Sequence, residues 1–353
     1  MKNALFISFF LALLSCGSDS QIPTGRTYRM GFANSAPRFD DINLLLQSLN
    51  LWSTRADAAI INTEVPWDEM FAGTNPATYV VDNYSGLAEF YKSKNMKLWV
   101  YVDPQNGLDR SADAVELVAM GKSIAEDDVQ TIYRRFVVVM DSILHPDHLG
   151  LALETNLIRD AASPAIYQGV KKAVNDVVAE LTQRSSPAKR SVSVQVDHAW
   201  GKLGGGIYQG IAQDLSDFPF VEELGLSSYP YFGWSNPEEI PTNYYSKLVN
   251  GTNLPVFVSE GGWSSASVTT ATTSFVSSPQ IQEQYVRHHR KLLDEAHTIA
   301  VFQLVFTDID ESSLPPNAPD NIGYFLSLGM VDTNFQPKPA LAAWDEMFSL
   351  KLK

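Results

Sequence analysis

With a single cysteine in 353 residues, the chain can form no internal disulfide and must hold its fold by packing. Basic residues are scarce beside acidic ones, 26 Lys and Arg against 40 Asp and Glu. The resulting formal charge of −14 argues against nucleic acid or an anionic lipid surface as a partner. No Gly-x-Gly-x-x-Gly follows the first strand-like run and no P-loop is present; Gly204-Gly-Gly206 lies well past the fifth such run and reads as a loop. A His-Glu-x-x-His zinc motif and a Gly-x-Ser-x-Gly nucleophile elbow are also missing, and His288-His289 falls mid-helix on a face expected to be solvated. Asp308 and Asp310 lack the ordered ligand spacing of a calcium loop. No metal or cofactor is therefore expected, and no internal repeat or low-complexity tract is found.

One apolar run stands apart. Ala4 to Leu14, preceded by Lys2, is too short to span a bilayer stably and has the form of a signal-peptide h-region. Cys16 follows Leu13-Leu-Ser15 directly, which resembles the lipobox of bacterial lipoproteins, although Leu14 stands where that motif usually has a smaller residue. The resemblance implies cleavage before Cys16, acylation of Cys16, and a membrane partner held through that lipid at the bacterial cell envelope. Residues 1–15 are then the signal, 16–26 a flexible tether and 27–353 the folded domain. The alternative is ordinary cleavage near Ser18 with Cys16 discarded. Either way the leader takes away only the charge of Lys2, leaving the mature chain more acidic still.

From Arg29 onward, strand-like runs alternate with helix-like ones. The runs are Arg29–Phe32, Ala56–Asn62, Lys97–Asp103, Leu149–Glu154, Ser191–His198, Leu224–Tyr229, Pro255–Glu260 and Ile299–Phe306. Ser163-Pro164 before Ala165–Leu181 and Ser278-Pro279 before Gln280–Ala296 pair an N-cap serine with proline at the first helical position. Eight strands separated by helical stretches imply parallel crossover units closed into an α/β (β/α)8 TIM barrel of one domain, expected to be monomeric.

Two of these runs end on a glutamate: Glu154 in Leu151-Ala-Leu-Glu-Thr-Asn156 and Glu260 in Pro255-Val-Phe-Val-Ser-Glu-Gly-Gly-Trp263. Barrel strands display reactive groups at their C-terminal ends, so both carboxylates are expected to face one cleft. Paired carboxylates in a cleft point to glycoside hydrolysis, one acting as acid and the other attacking the sugar. The alternative for Glu154 is a strand-end ion pair, with Arg159 as a candidate, and for Glu260 a capping role in the next loop.

The arrangement resembles clan A of the glycoside hydrolases, retaining enzymes with the acid/base after the fourth strand and the nucleophile after the seventh. Gly225-Leu-Ser-Ser-Tyr-Pro-Tyr-Phe232 and Glu260-Gly-Gly-Trp263 are most similar to family 53, the endo-β-1,4-galactanases, and Gly329 to Trp344 resembles the last loop and helix of such barrels. Leu153 precedes Glu154 where the clan usually carries asparagine; Asn156 follows two residues later and is taken as a sugar contact. The resemblance implies that Glu260 is the nucleophile, Glu154 the acid/base and Tyr229 a donor to Glu260, the alternative for Tyr229 being a packed rim aromatic.

Trp67, Trp200, Trp234 and Trp263 follow the ends of strands two, five, six and seven, where indole faces are expected to stack on sugars and form the subsites of a polymer. For each of them, plain packing is the alternative. Trp52, Trp99 and Trp344 read as core. Asn34, Glu64, Asp103, Asn106, Asp197, His198 and Asp308 also lie at strand exits. The expected activity is endo-hydrolysis of a neutral poly- or oligosaccharide, β-1,4-galactan first, with β-1,3-glucan or β-mannan next. A non-catalytic surface glycan-binding lipoprotein is the reading from another class. The lipid expectation has its own test. Cells making the full chain in the presence of labelled fatty acid should yield labelled protein, and Cys16→Ala should lose the label; label that survives the substitution refutes acylation of Cys16.

Overall fold

The computed structural model describes residues 25–38, 40–269, 274–314 and 318–353, so the expected leader, Cys16 and most of the tether lie outside the described residues. Eight parallel strands form the central sheet: β1 (Arg29–Phe32), β2 (Ala58–Glu64), β3 (Lys97–Asp103), β4 (His148–Gly150), β5 (Lys189–Gln195), β6 (Glu223–Ser228), β7 (Val256–Gly261) and β8 (Ala300–Gln303). From β2 to β8 each pairs with the next in chain order, and β8 pairs with β1. A parallel bridge between Ala33 and Ile60 and the bond from Asp57 N–H to the Met30 carbonyl join β1 to β2 and close the (β/α)8 barrel. A short parallel pair, Gly25–Arg26 with Lys351–Leu352, lies beneath the strands' N-terminal ends, where Arg26 meets Asp57 at 2.6 Å.

Two cores result. Outward-facing residues such as Val100, Val192 and Val258 pack beneath the surrounding helices, including Asp127–Leu144, Pro164–Gln183, Pro279–Glu295 and Pro339–Phe348. The expected serine caps form, Ser163 accepting from Ile166 N–H and Ser278 from Ile281 N–H, each with proline at the helix start. Inside the barrel, Ala58, Ile60, Trp99, Tyr101, Phe257 and Phe302 fill the lumen. Tyr101 takes so much room that its neighbours are reduced to glycine. A Cβ on Gly150 would lie 2.1 Å from its ring, and one on Gly225 2.3 Å from its hydroxyl. Such layers make the lumen a packed core rather than a pore, which confines the reactive groups to one end.

The strand boundaries depart from the sequence expectation where side chains compete with the ladder. β2 starts at Ala58 because the Asp57 carboxylate is bonded to Arg26 and to Met30 N–H. β5 stops at Gln195, whose side chain accepts from His198 N–H and starts the helical turn Val196–Ala199. β4 ends as a regular strand at Gly150, though Leu151 N–H still bonds Ser191 and the Ala152 carbonyl accepts from Ser193. The pair His288 and His289 is corrected: both are buried, not solvated. They fall on the stripe of Tyr285 and Leu292, with His289 Nε2 2.8 Å from the Tyr245 hydroxyl, and burial pushes the His289 imidazole down to about 3.

Candidate active site

The two glutamates do meet at the C-terminal end of the barrel, and local backbone irregularities bring them there. On β7, Phe257 and Ser259 already face the lumen, so strict alternation would turn Glu260 outward. A register shift after Leu226 opposes Ser227 to Glu260 instead of Ser259, which turns the glutamate inward beside Ser227. Glu154 is turned by its own backbone, held at φ 51° and ψ 46°, a left-handed conformation that costs a non-glycine residue about 1–2 kcal/mol. Its N–H is tied to Ser193 Oγ and its carbonyl accepts from Leu157 and Ile158 at the start of helix Thr155–Ala161.

Ser227 Oγ lies 2.6 Å from Glu154 Oε1 and 2.9 Å from Glu260 Oε1. Those two legs bound the separation of the bonded oxygens, and a pair bridged by one hydroxyl suits the roughly 5–5.5 Å spacing of retaining enzymes better than the roughly 6.5–9.5 Å of inverting ones, which leave room for a water. A hydroxyl carries one hydrogen, so it can donate to only one carboxylate at a time. For both contacts to be hydrogen bonds, one carboxyl must hold a proton.

Charge leads to the same conclusion. Arg110 is buried and divides its guanidinium, Nε to Glu154 Oε2 at 2.8 Å and Nη1 to Asp103 Oδ2 at 2.5 Å. One cation thus faces three carboxyl groups. Burial, and next the Glu154 carboxylate, push the Glu260 carboxyl up to about 7, while Arg110 and the Ser227 bond pull the other way. Tyr229 lines the same cavity as Glu260, and burial, then the neighbouring Glu260 charge, raises its phenol far above the ordinary range, so it keeps its proton. Asp197 fixes this tyrosine from behind: its buried carboxylate accepts from Tyr229 N–H at 3.1 Å and the Tyr244 hydroxyl at 2.6 Å.

A cavity of about 600 Å³ opens over the pair. Its walls include Leu108, Arg110, Leu153, Leu157, Leu203, Tyr229, Phe232, Leu304, Tyr324 and Phe325. None of the four tryptophans expected on the rim lines it. Trp67 is wholly buried in the outer core. Trp263 is buried too, its indole N–H bonded to Ser277 Oγ at 3.0 Å and its ring packed on Tyr285 and Tyr231. Trp200 donates to the Tyr244 carbonyl and lies under Lys247 Nζ, and Trp234 lies under Lys202 Nζ, so both present a covered face. Asn156 is corrected as well. It is buried and spent on the β5 backbone, Oδ1 accepting from Gln195 N–H and Nδ2 donating to the Gln195 carbonyl.

The other strand-exit polar groups serve the scaffold. Glu64 accepts from Gly107 N–H, and Asn106 accepts from Leu108 and Asp109, shaping the loop that carries Arg110. His198 meets Asp160, Asp308 meets Lys338, Asp310 meets Arg38, and Asn34 is exposed. Arg159 turns to Asp214 and Asp160 and leaves Glu154 to Arg110. Among the described residues no cluster of three or more metal-ligating side chains occurs, and no helix is long and apolar enough to cross a membrane. Arg110 and Ser227 are the functional residues that sequence reasoning missed.

No protein-family model matches the chain, and no curated protein matches it either. Solved structures do share its fold. The catalytic domain of a family 53 glycoside hydrolase from Ignisphaera aggregans is 14% identical with a TM-score of 0.61, over 95% of this chain and 98% of that one. A family 5 enzyme from Bifidobacterium longum, solved with the disaccharide Manβ1-4GlcNAc, is 15% identical with a TM-score of 0.61, over 92% and 80% of the two chains. An exo-β-1,4-mannosidase from an Opitutaceae bacterium is 14% identical with a TM-score of 0.65, over 92% and 59%. At such identities the likeness establishes the barrel architecture.

Two predictions follow from this geometry. Trp263→Ala should destabilise the fold by about 3–5 kcal/mol, as loss of a large buried aromatic does, measurable as a lower midpoint in chemical denaturation. A midpoint unchanged within error contradicts its buried place. The second concerns pH. A glutamate ordinarily titrates near 4.5, so between there and about 7 the folded chain keeps a proton on Glu260 that the unfolded chain has released. Stability therefore falls as pH rises through that window. From pH 5 to 8 the melting temperature of the wild type should drop more steeply than that of Glu260→Gln; parallel curves contradict the raised carboxyl.

Proposed function

We propose that the protein is a retaining glycosidase, a reading carried by the Ser227-bridged pair Glu154 and Glu260 at the open end of the barrel. Glu260 attacks the anomeric carbon while Glu154 gives its proton to the departing glycosidic oxygen. Glu154 then takes a proton from the water that hydrolyses the glycosyl ester. The productive form has the proton on Glu154 and Glu260 ionised. Ser227 contacts both carboxyls, so the pair's one proton can pass from Glu260 to Glu154 through a single hydroxyl. Tyr229 steadies the Glu260 anion, and Arg110 stabilises Glu154 when it has lost its proton.

Among polymers, the resemblance of the Gly225–Phe232 and Glu260–Trp263 segments to family 53, together with the shared fold of a family 53 domain, puts β-1,4-galactan first to assay. β-Mannan and β-1,3-glucan are the next polymers to assay. The rim tryptophans no longer support a long series of subsites, because they are packed or covered. A binding-only protein is disfavoured by the site itself, since a buried, proton-sharing carboxylate pair on strained backbone serves no purpose in holding a neutral sugar. We further propose that the chain is exported and anchored through Cys16. Gly25–Arg26 leaves the barrel at the strands' N-terminal ends, so such an anchor would hold the cleft facing away from the membrane.

The roles are tested by rescue. With an activated substrate, Glu154→Ala should retain glycosylation of Glu260 and give, with azide, a glycosyl azide of retained configuration. Glu260→Ala should give the inverted azide by direct displacement. Each variant should lose several orders of magnitude in kcat/KM without azide. Exchanged stereochemistry reverses the two roles, and full activity in either variant removes that residue from the mechanism.

A further inference from the structure

The walls of the cleft are not uniform. Around β6 and β8, the strands that flank Glu260, they carry Tyr229, Phe232, Tyr324 and Phe325 with Leu304 and Ile322 among them, and the rings offer faces of the kind on which a pyranose can lie. On the Glu154 side they are aliphatic. Leu153 precedes the glutamate, and Leu157 and Ala161 follow at one-turn intervals along helix Thr155–Ala161, so the helix turns one apolar face into the cavity. Leu108 and Leu203 come from the loops after β3 and β5 to continue that wall. Leu203 is 41% exposed at the mouth of the cleft, so its side chain is open to a ligand there.

Leucine side chains can neither stack on a sugar as a ring does nor bond its hydroxyls, so a further sugar unit there would leave its hydroxyls largely unpaired. Few polar groups nearby are open to it: Ser111 Oγ is bonded to Asp109, and Asn321 Oδ1 is the one buried acceptor of this wall without a partner among the described residues. Arg110 is divided between two carboxylates, and Asn321 Nδ2 is donated to the Leu108 carbonyl at 2.6 Å.

The acid sits beside the leaving-group oxygen, so the wall adjoining Glu154 is the wall that meets the leaving group. We propose that this wall receives an apolar aglycone, and that the substrate is a β-glycoside of an alkyl- or aryl-type alcohol rather than a bond inside a sugar chain. The inference rests on the glycosidase reading and on Glu154 as the acid. Burying roughly two methylenes corresponds to about a tenfold gain. The carboxylate pair lies in the same cavity, so an aglycone seated on the leucines places its glycosidic oxygen over Glu154.

The test pairs octyl with methyl β-D-glucosides, -galactosides and -mannosides, the octyl compounds kept below their micelle concentrations, beside soluble galactan and mannan oligosaccharides. For whichever sugar is cleaved, kcat/KM for the octyl glycoside should exceed that for the methyl glycoside by at least about tenfold, and Leu157→Gln should shrink that ratio. Binding is measured separately by calorimetry on Glu260→Gln, where the octyl glycoside should again bind at least about tenfold more tightly than the methyl one. Equal octyl and methyl values, or faster cleavage of the oligosaccharides, overturn the apolar site and leave the glycosidase standing. Tight octyl binding without cleavage of any compound by the wild type keeps the apolar site and overturns the catalytic reading. Equal binding with no cleavage overturns both.

Discussion

The shortage of positive charge at the top of the barrel governs the site. Asp103, Glu154 and Glu260 converge there, all shielded from bulk water to some degree, and Arg110 is the guanidinium set among them. Two like charges in such surroundings cannot both be held without cost, so a proton is retained, and Ser227 is placed where either carboxyl can hold it. Much else supports that arrangement. The β6–β7 register shift brings Ser227 level with Glu260, the left-handed backbone at 154 aims the other glutamate, and the Glu64 and Asn106 contacts shape the loop that delivers Arg110.

The barrel was largely legible in the sequence because each strand is a short apolar run between helical periods, a pattern that survives even when the ends slip by two residues, as at β2. Glu154 and Glu260 were legible for the same reason, since each closes a run. The tryptophans were not. A strand exit is close to both the cleft and the packed layer behind it, and nothing in the residue type tells which way the indole turns. At Trp263 the Ser277 hydroxyl, a residue fourteen places along the chain, decides it. His288 and His289 fit the buried stripe of their helix in spacing but not in polarity, and polarity misled.

Arg110 and Ser227 went unseen for a different reason. Arg110 lies in an irregular loop, where periodicity carries no information, and its meaning depends on two partners, one of them forty-four residues away. Ser227 sits in a run that reads as plain strand, and only the bulge opposite it makes its hydroxyl common to both glutamates. Pairwise geometry of this kind is a property of the folded sheet and leaves no local trace.

The backbone at Glu154 carries a further consequence for how such a chain could change over time. Glycine adopts that left-handed geometry freely, so a glycine there would relieve the strain, yet it would strip the buried Arg110 Nε of a carboxylate and Ser227 of one acceptor. The turn would be easier without a Cβ, and the buried cation is held only with the carboxylate in place. Position 154 is therefore where the geometry of the chain and the charge of the site pull in opposite directions, and the glutamate that stands there marks the side on which this chain has settled.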